Sequence, residues 1–136
     1  MRSRLQSTRA DIIPSRHTVA ALALGGFFTA TGLGHFLAAP YFRSLVPAWI
    51  PAPGAVVAAS GIAEIAVAGS LFVPQTRVAG GWAAVVLIGG FLVVWLDALR
   101  RVSSGAERFA DRPLGMAAVL AANAGYLLWA GYIAVG

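Results

Sequence analysis

The chain has 136 residues, of which 59% are hydrophobic and only 11% are charged. Soluble domains carry about 25% charged residues, so this composition excludes a soluble domain with a polar surface. The net charge is +5, every basic residue apart from the histidines is an arginine, and the arginines cluster at the ends of apolar segments. That placement favours contact with lipid headgroups over nucleic acid. Cysteine is absent, which excludes disulfides, thiol nucleophiles and cysteine-bound metals in this chain.

Four apolar segments predict four transmembrane helices, since about 20 helical residues cross the hydrocarbon of a bilayer. These spans cover residues 18–39, 55–73, 78–98 and 114–135. We therefore predict an all-α, up-down bundle: a basic cytoplasmic tail at 1–17, then a single four-helix transmembrane domain at 18–136. A signal peptide is the alternative for the start of the chain, but the first span exceeds its usual apolar core of about 7–15 residues.

The first span carries a stripe of small residues, Gly25, Thr29 and Gly32, with His35 one turn further along. Small residues let helix backbones approach closely in lipid, so the stripe and His35 should face other helices. Residues 40–54 hold four prolines, which exclude a regular helix through the whole segment. We predict a Pro-rich interfacial loop between the first two spans, with a shallow re-entrant lid as the alternative.

Glu64 is the only charge in the second span and lies at its centre. An acid at that depth costs about 3 kcal/mol or more, so it must be protonated, paired or in a wet cavity. Ser60 lies one turn earlier on the same face. A structural interpretation is that Glu64 joins helices by hydrogen bonds to Ser60 or Asn123. The functional alternative is a proton carrier or a ligand contact.

The short segment 74–77 makes the second and third spans antiparallel neighbours. Asp97 lies near the end of the third span, either in a polar site or as a helix-end acid beside the arginines that follow. The fourth span has a small-residue face, Ala118, Ala122 and Gly125, with Asn123 beside it.

Alternating span directions place Glu64 and Asn123 at similar depth, with His35 and Asp97 nearer the same membrane surface. At ~1.5 Å per residue, His35 is about 7 Å shallower than Glu64. We predict a polar column that serves as a ligand or proton site, supported by Ser60 and Tyr126. One histidine and two acids on three helices are a weak metal signal, so no metal is predicted.

Several motifs occur in a characteristic order: GHF at 34–36, VPxxIPxP at 46–53, SGxAE at 60–64 and PQTR at 74–77. Together they resemble the DoxX-like family of small four-helix membrane proteins, over roughly residues 30–91. His35 and Glu64 match motif positions of that family. The resemblance implies a bundle with both termini cytoplasmic and an association with redox complexes.

These observations lead to one leading hypothesis and two alternatives. The first is a non-catalytic subunit, or a binder of a small hydrophobic, quinone-like ligand, in a redox-linked complex of the inner (plasma) membrane. Its partners would be the bilayer and a membrane or peripheral redox protein, with the quinone reached through that partner. The alternatives are an assembly or interaction protein, including a homo-oligomer, and a small transporter.

Overall fold

The computed structural model describes residues 14–136, so residues 1–13 of the predicted tail lie outside it. Within that range the chain forms four long helices and one short helix, and no strand. They are α1 (Arg16–Leu37), α2 (Ala39–Leu45), α3 (Pro53–Phe72), α4 (Arg77–Ala98) and α5 (Pro113–Ala134). Three 3₁₀ turns, Pro74–Thr76, Leu99–Arg101 and Phe109–Asp111, lie in the connections.

Local sequence signals set where the helices begin. The Ser15 hydroxyl accepts a hydrogen bond from the Thr18 backbone N–H at 3.1 Å and so caps α1. α3 and α5 each begin with proline, whose fixed φ suits the first helical position. Ala52, just before α3, has a φ of 52°, a left-handed conformation that costs free energy in any residue with a Cβ.

The four long helices are long and apolar enough to cross a membrane. Large apolar side chains point outward along them, as in Leu37, Ile62, Val86 and Leu128, each more than half exposed. In water such surfaces would cause aggregation, whereas in a bilayer they contact acyl chains. This is the surface of a multi-pass membrane protein.

The helices form the predicted bundle. α1 packs on α3, α3 on α4, α4 on α5, and α5 returns to α1. Close approach depends on glycine at two crossings. A Cβ at Gly81 would lie 2.6 Å from the backbone nitrogen of Ala134, and one at Gly61 would lie 2.9 Å from the carbonyl oxygen of Gly32. The four-helix up-down fold predicted from the spans is confirmed.

The bundle has two unlike halves. The half that contains the start of α1 and the end of α5 is tightly packed around Ala21, Leu24, Leu71 and Ala130, all fully buried. Near the same end, the Trp129 indole N–H donates to the Ala20 carbonyl at 3.0 Å. The other half, which carries α2, contains a cavity.

Polar contacts reinforce the surface of the packed half. The Arg77 guanidinium donates to the Leu71 carbonyl at 3.1 Å and to the Thr18 hydroxyl at 3.0 Å, so it joins three helices. The His17 ring stacks on Tyr132 with centroids 4.0 Å apart. These contacts close the packed end of the bundle that α1, α3, α4 and α5 form.

Two segments differ in detail from the sequence-based expectation. The Pro-rich connection contains the helix α2, because Pro40 occupies a first-turn position that tolerates proline. The small-residue face of α5 is exposed at Ala118, Ala122 and Gly125, and a Cβ at Gly125 would meet nothing within 4 Å. The packed side of α5 instead carries Met116, Asn123, Ala130 and Ile133.

Candidate functional site

A cavity of about 250 Å³ lies between the helices in the half of the bundle that carries α2. Its walls come from the end of α1, the start of α3, the second half of α4 and the middle of α5, with α2 beside them. Six aromatic side chains line it: Phe27, Phe28, Phe42, Phe91, Trp95 and Tyr126. A cavity of about 150 Å³ lined by apolar side chains is enough to bind benzene, so this one has room for a substituted ring.

His35 and Glu64 meet at the wall of this cavity, with His35 Nδ1 3.2 Å from Glu64 Oε2. Both residues are more than nine-tenths buried. The Gly32–Gly61 crossing brings their helices together, since a Cβ at Gly61 would also lie 2.9 Å from His35 Cβ. The sequence put His35 about 7 Å shallower, but side chains tilt toward the N-terminus of their own helix. Because α1 and α3 are antiparallel, the two side chains converge.

The hydrogen bonds of His35 identify which ring nitrogen carries a proton. Nδ1 lies 2.9 Å from the Thr31 carbonyl oxygen, which can only accept, so Nδ1 is the protonated nitrogen. The ring stacks on Phe42 with centroids 4.0 Å apart, and Phe91 lies beyond at 6.1 Å. The imidazole is therefore fixed in position by one hydrogen bond and two aromatic neighbours.

Glu64 Oε2 is buried and has no hydrogen-bond partner in the described part of the chain. It lies close to Nδ1, but the Nδ1–H points to the Thr31 carbonyl, and the contact lacks hydrogen-bond geometry. Buried polar atoms are nearly always paired, and leaving one unpaired costs about 1–3 kcal/mol. Glu64 is one of the residues that line the cavity, so its carboxyl group brings an incompletely paired polar group to the cavity wall.

Three further residues of the predicted site also line the cavity: Ser60, Asn123 and Tyr126. Asn123 is buried, and its amide donates to the Val119 carbonyl of its own helix at 2.9 Å. The Tyr126 ring packs on Phe27 with centroids 4.7 Å apart. Five of the six predicted site residues thus lie around one space.

Asp97 is the exception, since it is not among the residues that line the cavity. Its carboxylate accepts from the Trp49 indole N–H at 3.2 Å and from Arg101 at 2.9 Å. The predicted column therefore stops at His35, and Asp97 instead links the Pro-rich connection to the end of α4. The interpretation of Asp97 as a helix-end acid agrees with these contacts.

Sequence reasoning missed Thr31 and most of the aromatic lining. Thr31 lies one turn before His35, the spacing at which a backbone carbonyl reaches a side chain on the same helix face. Ile88, Phe91 and Trp95 recur at helical spacing on α4, a pattern that could have marked a wall. Phe42 gave no such signal, because its position depends on how α2 folds back against the bundle.

The connections at this end cover the cavity. Phe42, Leu45 and Val46 from α2 and the residue after it contribute to the lining. Arg108, in the connection between α4 and α5, donates to Ser44 at 3.2 Å and to Asp111 at 2.8 Å. The Trp49–Asp97 hydrogen bond also attaches the Pro-rich connection to the end of α4.

Fold and site together define a small multi-pass membrane protein with a pair of polar groups on the wall of an apolar cavity between its helices. The chain belongs to a family described as a domain of unknown function (DUF8561), whose sequence model matches residues 24–134. That range includes every residue that lines the cavity. Neither a curated protein nor a solved structure matches the chain.

Proposed function

We propose that this protein binds a small, hydrophobic, quinone-like ligand in the cavity between its helices, as a non-catalytic subunit of a redox-linked membrane complex. The observation that carries the proposal is the buried His35–Glu64 pair at the wall of an apolar cavity. Small-molecule sites are typically apolar, concave and equipped with a few convergent polar groups. The six aromatic side chains that line the cavity suit a flat ring, which can stack on them.

The resemblance to DoxX-like proteins supports the redox part of the proposal. Its motif residues His35 and Glu64 are the two that meet at the cavity wall. In this function the cavity holds and orients the ring, and a partner subunit supplies the electron transfer. Membership of the DoxX-like group remains part of the proposal.

We also propose that both termini are cytoplasmic, in the inner membrane, and that the cavity lies toward the opposite surface. The arginines do not decide the orientation, because five lie on each side of the membrane under either choice. The first span usually dominates, which favours a cytoplasmic N-terminus. Alkaline phosphatase fused after Gly136 should be inactive, and phosphatase inserted after Ser104 should be active. The reverse pattern would overturn the orientation.

Ligand binding is tested by filling the cavity. Ser60 lines it, whereas the adjacent Ala59 is exposed on the outside of α3. We expect purified protein in nanodiscs to bind trimethylbenzoquinone in at least one of its redox states. Ser60→Phe should abolish that binding, and the matched control Ala59→Phe should retain it. No binding of either redox state to the wild type, or full binding by Ser60→Phe, would remove the proposed function.

A second candidate is an assembly or interaction protein, favoured by the exposed small-residue face of α5. In lipid, such a face favours contact with another helix. Under this alternative, Gly125→Leu would prevent co-purification of a partner in mild detergent, and Glu64→Gln would not. The opposite result would favour the ligand site.

A further inference from the structure

We infer that Ser60 recognises the ligand of the cavity through a hydrogen bond to an oxygen atom on its ring. The inference rests on the proposed function, since it assigns a polar contact within the same cavity. It follows from one observation. Among the serines and threonines of α1 to α5, Ser60 is the one whose hydroxyl has no hydrogen-bond partner in residues 14–136.

A serine or threonine inside a helix normally hydrogen-bonds to a backbone carbonyl three or four residues earlier on the same helix. In a bilayer this pairing has added importance, because the hydrocarbon core offers no water to an unpaired hydroxyl. Four hydroxyls donate to such a carbonyl at 2.7–3.1 Å, those of Thr29, Thr31, Ser44 and Ser70. The Thr18 hydroxyl instead accepts from Arg77 at 3.0 Å. Ser60 makes neither kind of contact, so the fold does not use its hydroxyl.

The Ser60 hydroxyl opens into the cavity. Ser60 lies between the buried residues Val57 and Glu64 on the inward face of α3 and lines the cavity, whereas Ala59 and Ile62 are exposed on the outer face. Glu64 Oε2 is the only fully enclosed side-chain nitrogen or oxygen without a partner in the described part of the chain. Because the Ser60 oxygen also lacks a partner but is not fully enclosed, it has free surface, and that surface faces the cavity.

The neighbouring polar side chains do not take up this hydroxyl. The sequence suggested that Glu64 would bond to Ser60 or Asn123, but neither bond is present among the described residues. Glu64 Oε2 instead lies 3.2 Å from His35 Nδ1, and the Asn123 amide donates to the Val119 carbonyl of its own helix. The Ser60 hydroxyl is therefore left for a group that enters the cavity.

A hydroxyl can both donate and accept a hydrogen bond, so Ser60 can pair with a carbonyl or a hydroxyl oxygen on the ring. It has nothing to offer a hydrocarbon. The aromatic lining contacts the ring of either kind of ligand and sets a common baseline affinity. Ser60 then adds the preference for an oxygen substituent. One hydrogen bond between neutral groups corresponds to about fivefold in affinity.

The experiment compares trimethylbenzoquinone, trimethylhydroquinone and pentamethylbenzene, in which methyl groups replace both ring oxygens. Binding is measured by anaerobic equilibrium dialysis against the protein in nanodiscs, with empty nanodiscs to subtract partition into lipid. Ser60→Ala removes only the hydroxyl, and Ser70→Ala makes the same change on the same helix outside the cavity.

We expect Ser60→Ala to weaken binding of each oxygen-bearing ring that binds the wild type by about fivefold, and to leave pentamethylbenzene within about twofold. Ser70→Ala should leave all three within about twofold. In SDS titrations Ser60→Ala should unfold at the wild-type SDS fraction or above, because its hydroxyl has no bond within the protein to lose. This second measurement serves as the structural control where pentamethylbenzene does not bind the wild type.

The outcomes separate the two proposals. Wild-type affinity of Ser60→Ala for the oxygen-bearing rings overturns the inference while the proposed function stands. An equal loss for pentamethylbenzene, an equal loss in Ser70→Ala, or earlier unfolding of Ser60→Ala also overturns it, since each would show a structural effect. Failure of both the quinone and the hydroquinone to bind the wild type overturns the proposed function itself.

Discussion

Replacing Gly61 by alanine should separate α1 from α3 and pull the His35–Glu64 pair apart. A Cβ at this position would lie 2.9 Å from the Gly32 carbonyl oxygen and 2.9 Å from His35 Cβ. Ordinary van der Waals contacts begin at 3.4 Å, so the helices must move by about half an ångström here. The Gly32 oxygen belongs to the backbone and cannot rotate away. The movement must therefore be taken up by the whole helix pair.

Overpacking of this kind costs about 1–3 kcal/mol of unfolding free energy. Gly69 is the matched control, because it lies on the same helix, is exposed, and a Cβ there would meet nothing within 4 Å. Gly69→Ala should leave the unfolding free energy unchanged or raise it by up to about 1 kcal/mol, since alanine is the better helix former. The difference between the two variants isolates the cost of the crossing from the general effect of replacing glycine in a helix.

The assay is equilibrium unfolding in mixed micelles of dodecyl maltoside and increasing SDS, followed by circular dichroism. Gly61→Ala should unfold at a lower SDS fraction than Gly69→Ala. It should also lose ligand binding, because the cavity wall moves with α1. If the two variants unfold together, the Gly32–Gly61 contact does not determine how α1 and α3 pack.

Two further substitutions test the cover of the cavity. Ala52→Gly should raise the unfolding free energy by about 0.5–1 kcal/mol. Glycine avoids the cost of the left-handed conformation, about 1–2 kcal/mol, but the more flexible unfolded chain offsets about 0.4–1 kcal/mol of that gain. The control Ala59→Gly, inside α3, should lower the unfolding free energy, and a fall in both variants would contradict this account. Trp49→Phe removes the hydrogen bond to Asp97 and should loosen the Pro-rich connection. Because the chain has no cysteine, Ala48→Cys provides a single thiol in the Pro-rich connection. Maleimide should label this thiol severalfold faster when Trp49→Phe is also present. An equal labelling rate would show that the Trp49–Asp97 hydrogen bond does not hold the Pro-rich connection in place.

The sequence was informative about the bundle because the bilayer restricts the choices. A segment of about 20 apolar residues in lipid must be helical, and short turns force antiparallel neighbours. Glu64 was identifiable for the same reason, since a single acid at the centre of a span must be sheltered. Small residues before His35 then predicted which side of α1 packs. The pair at the cavity wall follows from these constraints.

Contacts made by the connections could not be predicted in the same way. Asp97 looked equivalent to His35 in depth, but its partners are Trp49 and Arg101, one of them 48 positions away in the chain. No periodic pattern specifies how a Pro-rich connection folds back over a bundle. The small-residue face of α5 also could not be assigned to a partner from the sequence. Small residues favour contact with a helix of the same chain or of another molecule alike.

The contrast between the two halves of the bundle affects how material enters and leaves. Arg77, His17 with Tyr132, and the core around Leu24 close one end, so the cavity is a dead end rather than a passage. In the proposed orientation, a ligand of the cavity exchanges with the non-cytoplasmic leaflet or with the water beside it. Movement of a solute across the whole membrane would require the packed half to separate, which means exposing its fully buried residues, such as Leu24 and Leu71.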